Sequence, residues 1–494
     1  MRTRLSRSFD RLFATDFTRP LPFVLLAVAF FALRLPYAGY GHGTDPDAWR
    51  VAMTAHHLLE TGDYFPSRLP GNPLHELTMT LFIPGGWIAT NVATAVASLV
   101  GVWLFARIVQ ALDVPNRGLL VIAFAFTPLL VINSIATMDY MWTLTLILGA
   151  YYCVIIGRPV LAGVLLGLAV GFRLQSIILA VPLVYLMWRQ RRRDELMPFL
   201  LASAGTAILA FSPVLVVYGT EFLNYYDASV GYQDVLRLLG KEALGVLGVL
   251  GVLAGAALSL RNLGRLPRDA LTDSNLGVWL IAIVLYFASF SRLPHEIAYL
   301  IPVFPFAFLL LGRYFTRTGL GITVAAILLA GVVDVTTPGS GVSLSTLRTA
   351  TIGKGLILSN ADTMGGQRSF VEQIVDNPIP EHSVVLTGFI FPQLVVREGD
   401  RLDARILQHD YEAISMLSDR GEAVDETRDI RFVWLLAYET FESLRAQGYG
   451  FYLVPDAAGG TYALYEYRPA ILGGTLLNLD TGPSVGEGQA GTDR

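Results

Sequence analysis

Residues 40–77 read Y-G-H-G-T-D-P-D-A-W-R-V-A-M-T-A-H-H-L-L-E-T-G-D-Y-F-P-S-R-L-P-G-N-P-L-H-E-L, between two strongly apolar runs, Leu21–Tyr37 and Leu81–Ala106. The stretch carries Asp45, Asp47, Glu60, Asp63 and Glu76, and four of the chain's seven histidines: His42, His56, His57 and His75. Carboxylates next to lipid are costly unless they face water or do chemistry. The fold and the function are therefore both to be read outward from this loop.

The chain has 494 residues, of which 53% are hydrophobic and 15% charged, with a mean hydropathy of +0.52. Soluble domains carry about 25% charged residues, so the composition implies a polytopic α-helical membrane protein. About eleven apolar runs approach the length of roughly 20 residues that crosses a bilayer. After the loop they are Leu81–Ala106, Leu119–Ala136, Tyr140–Ile156, Val160–Phe172, Leu174–Trp188, Pro198–Tyr218, Ala243–Leu260, Leu276–Phe290, Ile297–Leu311 and Leu320–Val333. Only Arg173 separates Val160–Phe172 from Leu174–Trp188. Arg2, Arg4, Arg7 and Arg11 precede the first run, which lacks a small-residue cleavage site, so it reads as an uncleaved span. The one cysteine, Cys153, excludes an intrachain disulfide. A net charge of −4 gives no reason to expect nucleic acid as a partner.

Arginines set the expected orientation. With the N-terminus in the cytoplasm, the cytoplasmic loops hold Arg107, Arg117, Arg158, Arg189, Arg191, Arg192, Arg193, Arg261, Arg265, Arg268, Arg313 and Arg317. The opposite loops hold fewer basic residues, as the positive-inside rule requires. An odd number of spans then puts everything after Val333 outside. From Pro338 onward acids outnumber bases, 21 to 12, and the composition becomes that of a soluble α/β domain. Strands are expected at Gly355–Leu358, Ser383–Leu386, Phe432–Leu436, Gly450–Val454 and Ala463–Tyr467, with helices at Gln367–Val375 and Thr440–Gln447. The expected organisation is a cytoplasmic segment at 1–20 and a membrane domain at 21–336 with its first outer loop at 38–80. An extracytoplasmic α/β domain at 337–480 and a disordered tail at 481–494 complete it.

This layout brings Asp45, Asp47, Glu76, Asp139, Arg173, Arg292, His295 and Glu296 to the same, outer, membrane face. Converging polar groups at span ends point to one site. Asp45 stands where a helix N-cap belongs, with Pro46 at the first helical position. Asp47 falls in the first turn, where a carboxylate complements the helix dipole or serves as a general base. Asp139 opens a span and is either a cap or a second functional carboxylate. Glu76, His295 and Glu296 are candidates for binding a divalent metal or substrate. Arg173 and Arg292 either meet lipid headgroups or hold a phosphate, for which guanidinium is well shaped.

On these residues the chain resembles the GT-C superfamily of integral membrane glycosyltransferases, in the branch of protein O-mannosyltransferases and lipid A aminoarabinose transferases. The resemblance rests on Asp47-Ala48-Trp49-Arg50, Gly62-Asp63-Tyr64, Pro66-Ser67-Arg68-Leu69-Pro70-Gly71 and Glu76, in register over about the first 180 residues. It implies a polyprenyl-phosphate-linked sugar donor and a lipid, glycan or protein acceptor. The sugar is transferred with inversion at the outer face of the cell membrane, without an organic cofactor. It maps the catalytic aspartate to Asp47, a second luminal aspartate to Asp139, a metal- or substrate-binding glutamate to Glu76, and a late-span polar motif to His295-Glu296. Two departures stand out: Ala48 replaces the acid that often follows the first aspartate, and no lysine-proline pair follows Glu76. Two rival classes share the hydropathy. A transporter or flippase predicts related halves and charges near the bilayer midplane, and a non-catalytic scaffold predicts tolerance of Asp47→Asn.

Overall fold

The computed structural model describes residues 12–68, 70–220, 238–292, 294, 296–336, 351–376, 378–398, 403–406, 421–434, 436, 438–454, 465–467, 471–472 and 475–476. The chain is mostly helical. Among the described residues four helical stretches are long and apolar enough to cross a membrane: Pro20–Tyr37, Ile83–Ala111, Arg193–Tyr218 and Ser274–Arg292. A fifth candidate is broken by a 71° bend between Gly245–Ala257 and Leu260–Thr272. Six further apolar helical stretches run only 10–17 residues. These assignments fit a polytopic membrane protein.

The shortening has local causes. The run expected as one span over Leu119–Ala136 is two helices, Arg117–Phe126 and Pro128–Asn133. Pro128 cannot donate to the preceding turn, so the chain turns at Thr127. At Arg173 the backbone is extended, which ends Pro159–Phe172 before the 3₁₀ turn Leu174–Leu179 and the helix Ala180–Arg189. The single arginine that divides the two runs in the sequence is therefore a true break. Helices Pro159–Phe172 and Leu196–Tyr218 approach closely along Gly163, Gly167 and Gly171. A Cβ added at Gly163 would lie 2.4 Å from the Phe199 carbonyl oxygen. Small residues at this spacing let apolar helices pack backbone to backbone. Arg34, 1% exposed at the end of the first long helix, is satisfied without a carboxylate. It donates to Ser134 Oγ at 2.6 Å and to the Ala125 and Phe30 carbonyls at 2.7 and 3.2 Å.

After the last apolar helix, Arg317–Ala330, strand β1 (Val333–Thr336) pairs antiparallel with β2 (Thr351–Lys354). The strand expected at Gly355–Leu358 is instead the start of the helix Leu356–Asp376. Its short apolar run has no alternation to distinguish strand from helix. A six-stranded sheet follows, built from β3 (Ser383–Leu386), β4 (Asp403–Ile406), β5 (Gly421–Asp425), β6 (Ile430–Val433), β7 (Gly450–Leu453) and β8 (Tyr465–Glu466), in the order β4-β5-β6-β3-β7-β8. β3 pairs parallel with β6 and β7, and the outer pairs are antiparallel. Val385 faces a core with Phe370, Ile374, Leu394 and Phe432, whereas Val384 and Leu386 face Leu444 and Phe451. A central strand covered on both sides reads as a continuous apolar run, which is why β3 was foreseen to the residue. β4 and β5 were not foreseen, because charged residues interrupt them.

The sheet does not stand apart from the loop. Met53, on the loop helix Pro46–Thr61, is buried in the same core as Phe391, Leu394 and Trp434. Burying such a side chain stabilises the contact by up to about 1.5–3 kcal/mol.

Candidate active site

The loop helix Pro46–Thr61 is framed as its sequence demands. Asp45 is its N-cap and accepts from the Asp47 N–H at 2.9 Å, Pro46 opens the first turn, and Gly62 ends it in the left-handed conformation with φ 79°. Ala48, Trp49, Ala52, Met53 and Ala55 form its buried stripe. This leaves Asp47 on the rim, its side chain 29% exposed. Its two oxygens meet different arginines: Oδ1 lies 3.0 Å from Arg50 Nη1, and Oδ2 lies 3.4 Å from Arg68 Nε.

Arg68 continues inward. Its Nη2 donates to Oδ1 of Asp139, while Arg173 Nη1 donates to Oδ2 of Asp139 at 2.7 Å. Asp139 is fully buried, directly before the helix Tyr140–Ile155. Burial alone would raise its pKa. The Arg173 and Arg68 guanidiniums outweigh burial and hold the carboxyl below the usual carboxylate range. Arg173 is sandwiched between aromatic rings, 4.4 Å from the Tyr140 centroid and 4.6 Å from that of Tyr299. The result is one chain of charge, Arg50–Asp47–Arg68–Asp139–Arg173, running from the rim to the interior.

Glu76 is fully buried on the short helix Pro73–Thr80. Its Oε1 accepts from Ser67 N at 2.7 Å and Ser67 Oγ at 2.6 Å, and its Oε2 accepts from Tyr64 Oη at 2.7 Å. Burial raises its pKa. Glu76 thus ties down the turn that carries Arg68. With both oxygens engaged, and with no group of three His, Cys, Asp or Glu side chains placed to hold a metal among the described residues, this region does not fit a metal centre. His75, beside it, is fully buried, and neither ring nitrogen has a hydrogen-bond partner among the described residues. Burial lowers its pKa to about 4, so the ring is neutral. Arg68 Nη1 is likewise buried without a partner among those residues.

Asp45 is half-buried, and its pKa is pushed up to about 8, first by burial and then by the charges of Asp47 and Glu296. Glu296 caps the turn Ile297–Leu300 through Ala298 N at 3.3 Å, and its own pKa is raised, chiefly by burial. Arg292 ends the helix Ser274–Arg292 and is exposed, where a basic side chain complements the helix dipole. His295 lies outside the described residues. The fold thus gathers Asp45, Asp47, Glu76, Asp139, Arg173 and Glu296. Sequence reasoning passed over Arg68, Arg50 and Ser67 as site residues and weighed His75 only as the imidazole beside Glu76, although Arg68 stood inside the Pro66–Gly71 segment that carried the resemblance.

The raised Asp45 pKa has a signed consequence. Between about pH 4 and about pH 8 the folded chain keeps a proton that the unfolded chain has lost. This group's contribution is therefore full at low pH and fades as pH rises through that window. Asp45→Asn caps equally well and should flatten that part of the dependence of Tm on pH. An unchanged slope would show that Asp45 is already ionised.

The sequence matches no curated protein at a significant level. Residues 71–233 match the family model of the GPI transamidase subunit PIG-U. That segment includes Glu76, Asp139 and Arg173 and begins after Asp47. Among solved structures, ArnT from Cupriavidus metallidurans bound to undecaprenyl phosphate aligns with a TM-score of 0.51 at 15% identity, covering 90% of this chain and 96% of that one. Its apo form gives 0.53 at 16%, covering 88% and 93%. At this identity the likeness carries the fold and not the chemistry. The chain thus shares the architecture of ArnT.

Proposed function

We propose that this chain is a membrane glycosyltransferase that moves a sugar from a polyprenyl-phosphate donor to an acceptor at the outer membrane face, with inversion. The observation that carries the reading is the exposure of Asp47, 29% for its side chain, at the mouth of a charge cluster whose other aspartate, Asp139, is 0% exposed. Asp47 takes the proton of the acceptor nucleophile. The nucleophile then bonds to the anomeric carbon as the bond to the lipid phosphate breaks. The phosphate leaves with the electron pair. Arg68 and Arg173, with the neutral imidazole of His75 as a further donor, meet its growing charge. Asp139 orients the two arginines, and Glu76 fixes the Arg68 turn. We assign no step to a metal.

The experiment is turnover of a panel of polyprenyl-phosphate sugars by the purified protein. Specific transfer that requires Asp47 supports the reading, and none with any donor would sink it. The match to a transamidase subunit favours one alternative, a non-catalytic membrane subunit, which Asp47→Asn would leave intact.

The proposed topology has eleven spans, a cytoplasmic N-terminus and an extracytoplasmic sheet. Asp63 and Arg445 are exposed. After Cys153→Ser, cysteines placed at these two positions should both label from outside. Labelling of one alone would overturn the layout.

A further inference from the structure

We propose that Trp434, on the C-terminal sheet, is a positioning residue for Asp47 and acts through Arg50. The proposal rests on the reading of Asp47 as the base. Trp434 directly follows β6 and is 6% exposed. One side meets Phe391, with ring centroids 6.4 Å apart. The Arg50 guanidinium lies 5.6 Å from the Trp434 ring centroid. Arg50 in turn holds Asp47 Oδ1 at 3.0 Å. Its Nε is buried without a hydrogen-bond partner among the described residues. The ion pair and the aromatic face are thus what fix this guanidinium, and a ring within about 6 Å is close enough to do so.

A second contact makes the coupling directional. Arg397, on the helix Phe391–Glu398, lies 4.8 and 5.2 Å from the ring centroids of Trp49 and Trp87, and donates to the Tyr40 carbonyl at 3.0 Å. With Met53 buried in the sheet core, the C-terminal layer holds the loop helix at Trp49 and Met53, just after Asp47, and the chain before the helix at Tyr40. The sheet layer therefore does more than cover the loop. It sets the rotamer of the residue that orients the carboxylate, as supporting contacts do for reactive groups elsewhere. The Arg68–Asp139–Arg173 half of the cluster has no part in this contact, so donor binding should be spared.

The test uses the full chain in donor turnover and in amide hydrogen exchange over residues 46–61. Trp434→Leu should lower kcat about tenfold, equivalent to about 1.4 kcal/mol of barrier. Donor KM should stay within about twofold, a split that marks loss of an interaction made in the transition state. Exchange in the first turn of the loop helix should quicken. Trp434→Phe, which keeps an aromatic face, should recover most of both. Arg50→Gln should lose kcat to the same extent, and the double variant should lose little more; this variant also decides the matter if Trp434→Leu does not fold. Unchanged kcat in Arg50→Gln, or a loss that Trp434→Phe does not recover, overturns the proposal. Absence of turnover in the unaltered chain would count against the base reading alone. Hydrogen exchange would still decide whether Trp434 holds the helix.

Discussion

Asp47→Asn should lower sugar transfer by about 10²–10⁴-fold, the usual contribution of a general base. The amide keeps the size of the side chain, and its one acceptor oxygen can still serve Arg50 or Arg68, though not both; the cap at Asp45 and Pro46 is untouched, so the first turn should stand. What it loses is the charge and the ability to take a proton. Ion pairs of partly exposed groups are worth only about 0–1 kcal/mol, and Asp47 is 29% exposed. Protein yield and Tm should therefore change little. Donor binding should also persist, because Arg173 is held by Asp139 at 2.7 Å and not by Asp47. The contrast with Asp45→Asn sharpens the test. Asp45 accepts from the Asp47 N–H as a cap, a task Asn performs about as well, so that variant should keep most activity. Rates would be measured at saturating donor with both variants side by side. Loss in Asp45→Asn with activity retained in Asp47→Asn would move the base. Full activity in both would leave the subunit reading ahead.

What the sequence disclosed and what it hid follow from the range of the interactions. Asp45-Pro46-Asp47 discloses a capped helix start because capping is local, and Gly62 discloses its end for the same reason. Apolar runs disclose membrane helices, but not where they break. Pro128 marks one such break, at Thr127, inside a run whose hydropathy reads as one span. Arg68 was hidden because its partner Asp139 is 71 residues away. No periodicity reports such a pair, and only the shared motif hinted at it. Glu76 looked like a ligand because a glutamate beside a histidine is one pattern of metal sites. Its actual partners, Ser67 and Tyr64, are uncharged and are engaged by a turn that sequence spacing does not specify. Arg173 and Arg292 looked equivalent by charge and expected depth. Aromatic neighbours separate them: Tyr140 and Tyr299 flank Arg173, whereas Arg292 lies exposed at a helix end. In the C-terminal region the buried strand β3 was plain, while β4 and β5, at one side of the sheet, carry charges that break the alternation.

Asp139→Asn should be the most destabilising of the conservative changes. Asp139 is fully buried and gives one carboxylate oxygen to each of two arginines. Removing the charge leaves two guanidiniums facing each other in a low-dielectric interior. Breaking a buried pair in this way typically costs about 3–5 kcal/mol, most of it from the charge left behind. Arg68 keeps Asp47 as a partner at 3.4 Å, so the greater share of the loss falls on Arg173. The prediction therefore has an internal check. Adding Arg173→Gln to Asp139→Asn should restore part of the lost stability, because the stranded charge goes with its partner. Thermal unfolding in detergent of the two single variants and the double variant measures this coupling. If the double variant is as unstable as the two losses added, Asp139 and Arg173 act independently and the charge chain is not a unit. If Asp139→Asn unfolds like the unaltered chain and loses only transfer, Asp139 takes part in the reaction itself. The role of orienting the arginines would then pass to the aromatic rings that flank Arg173.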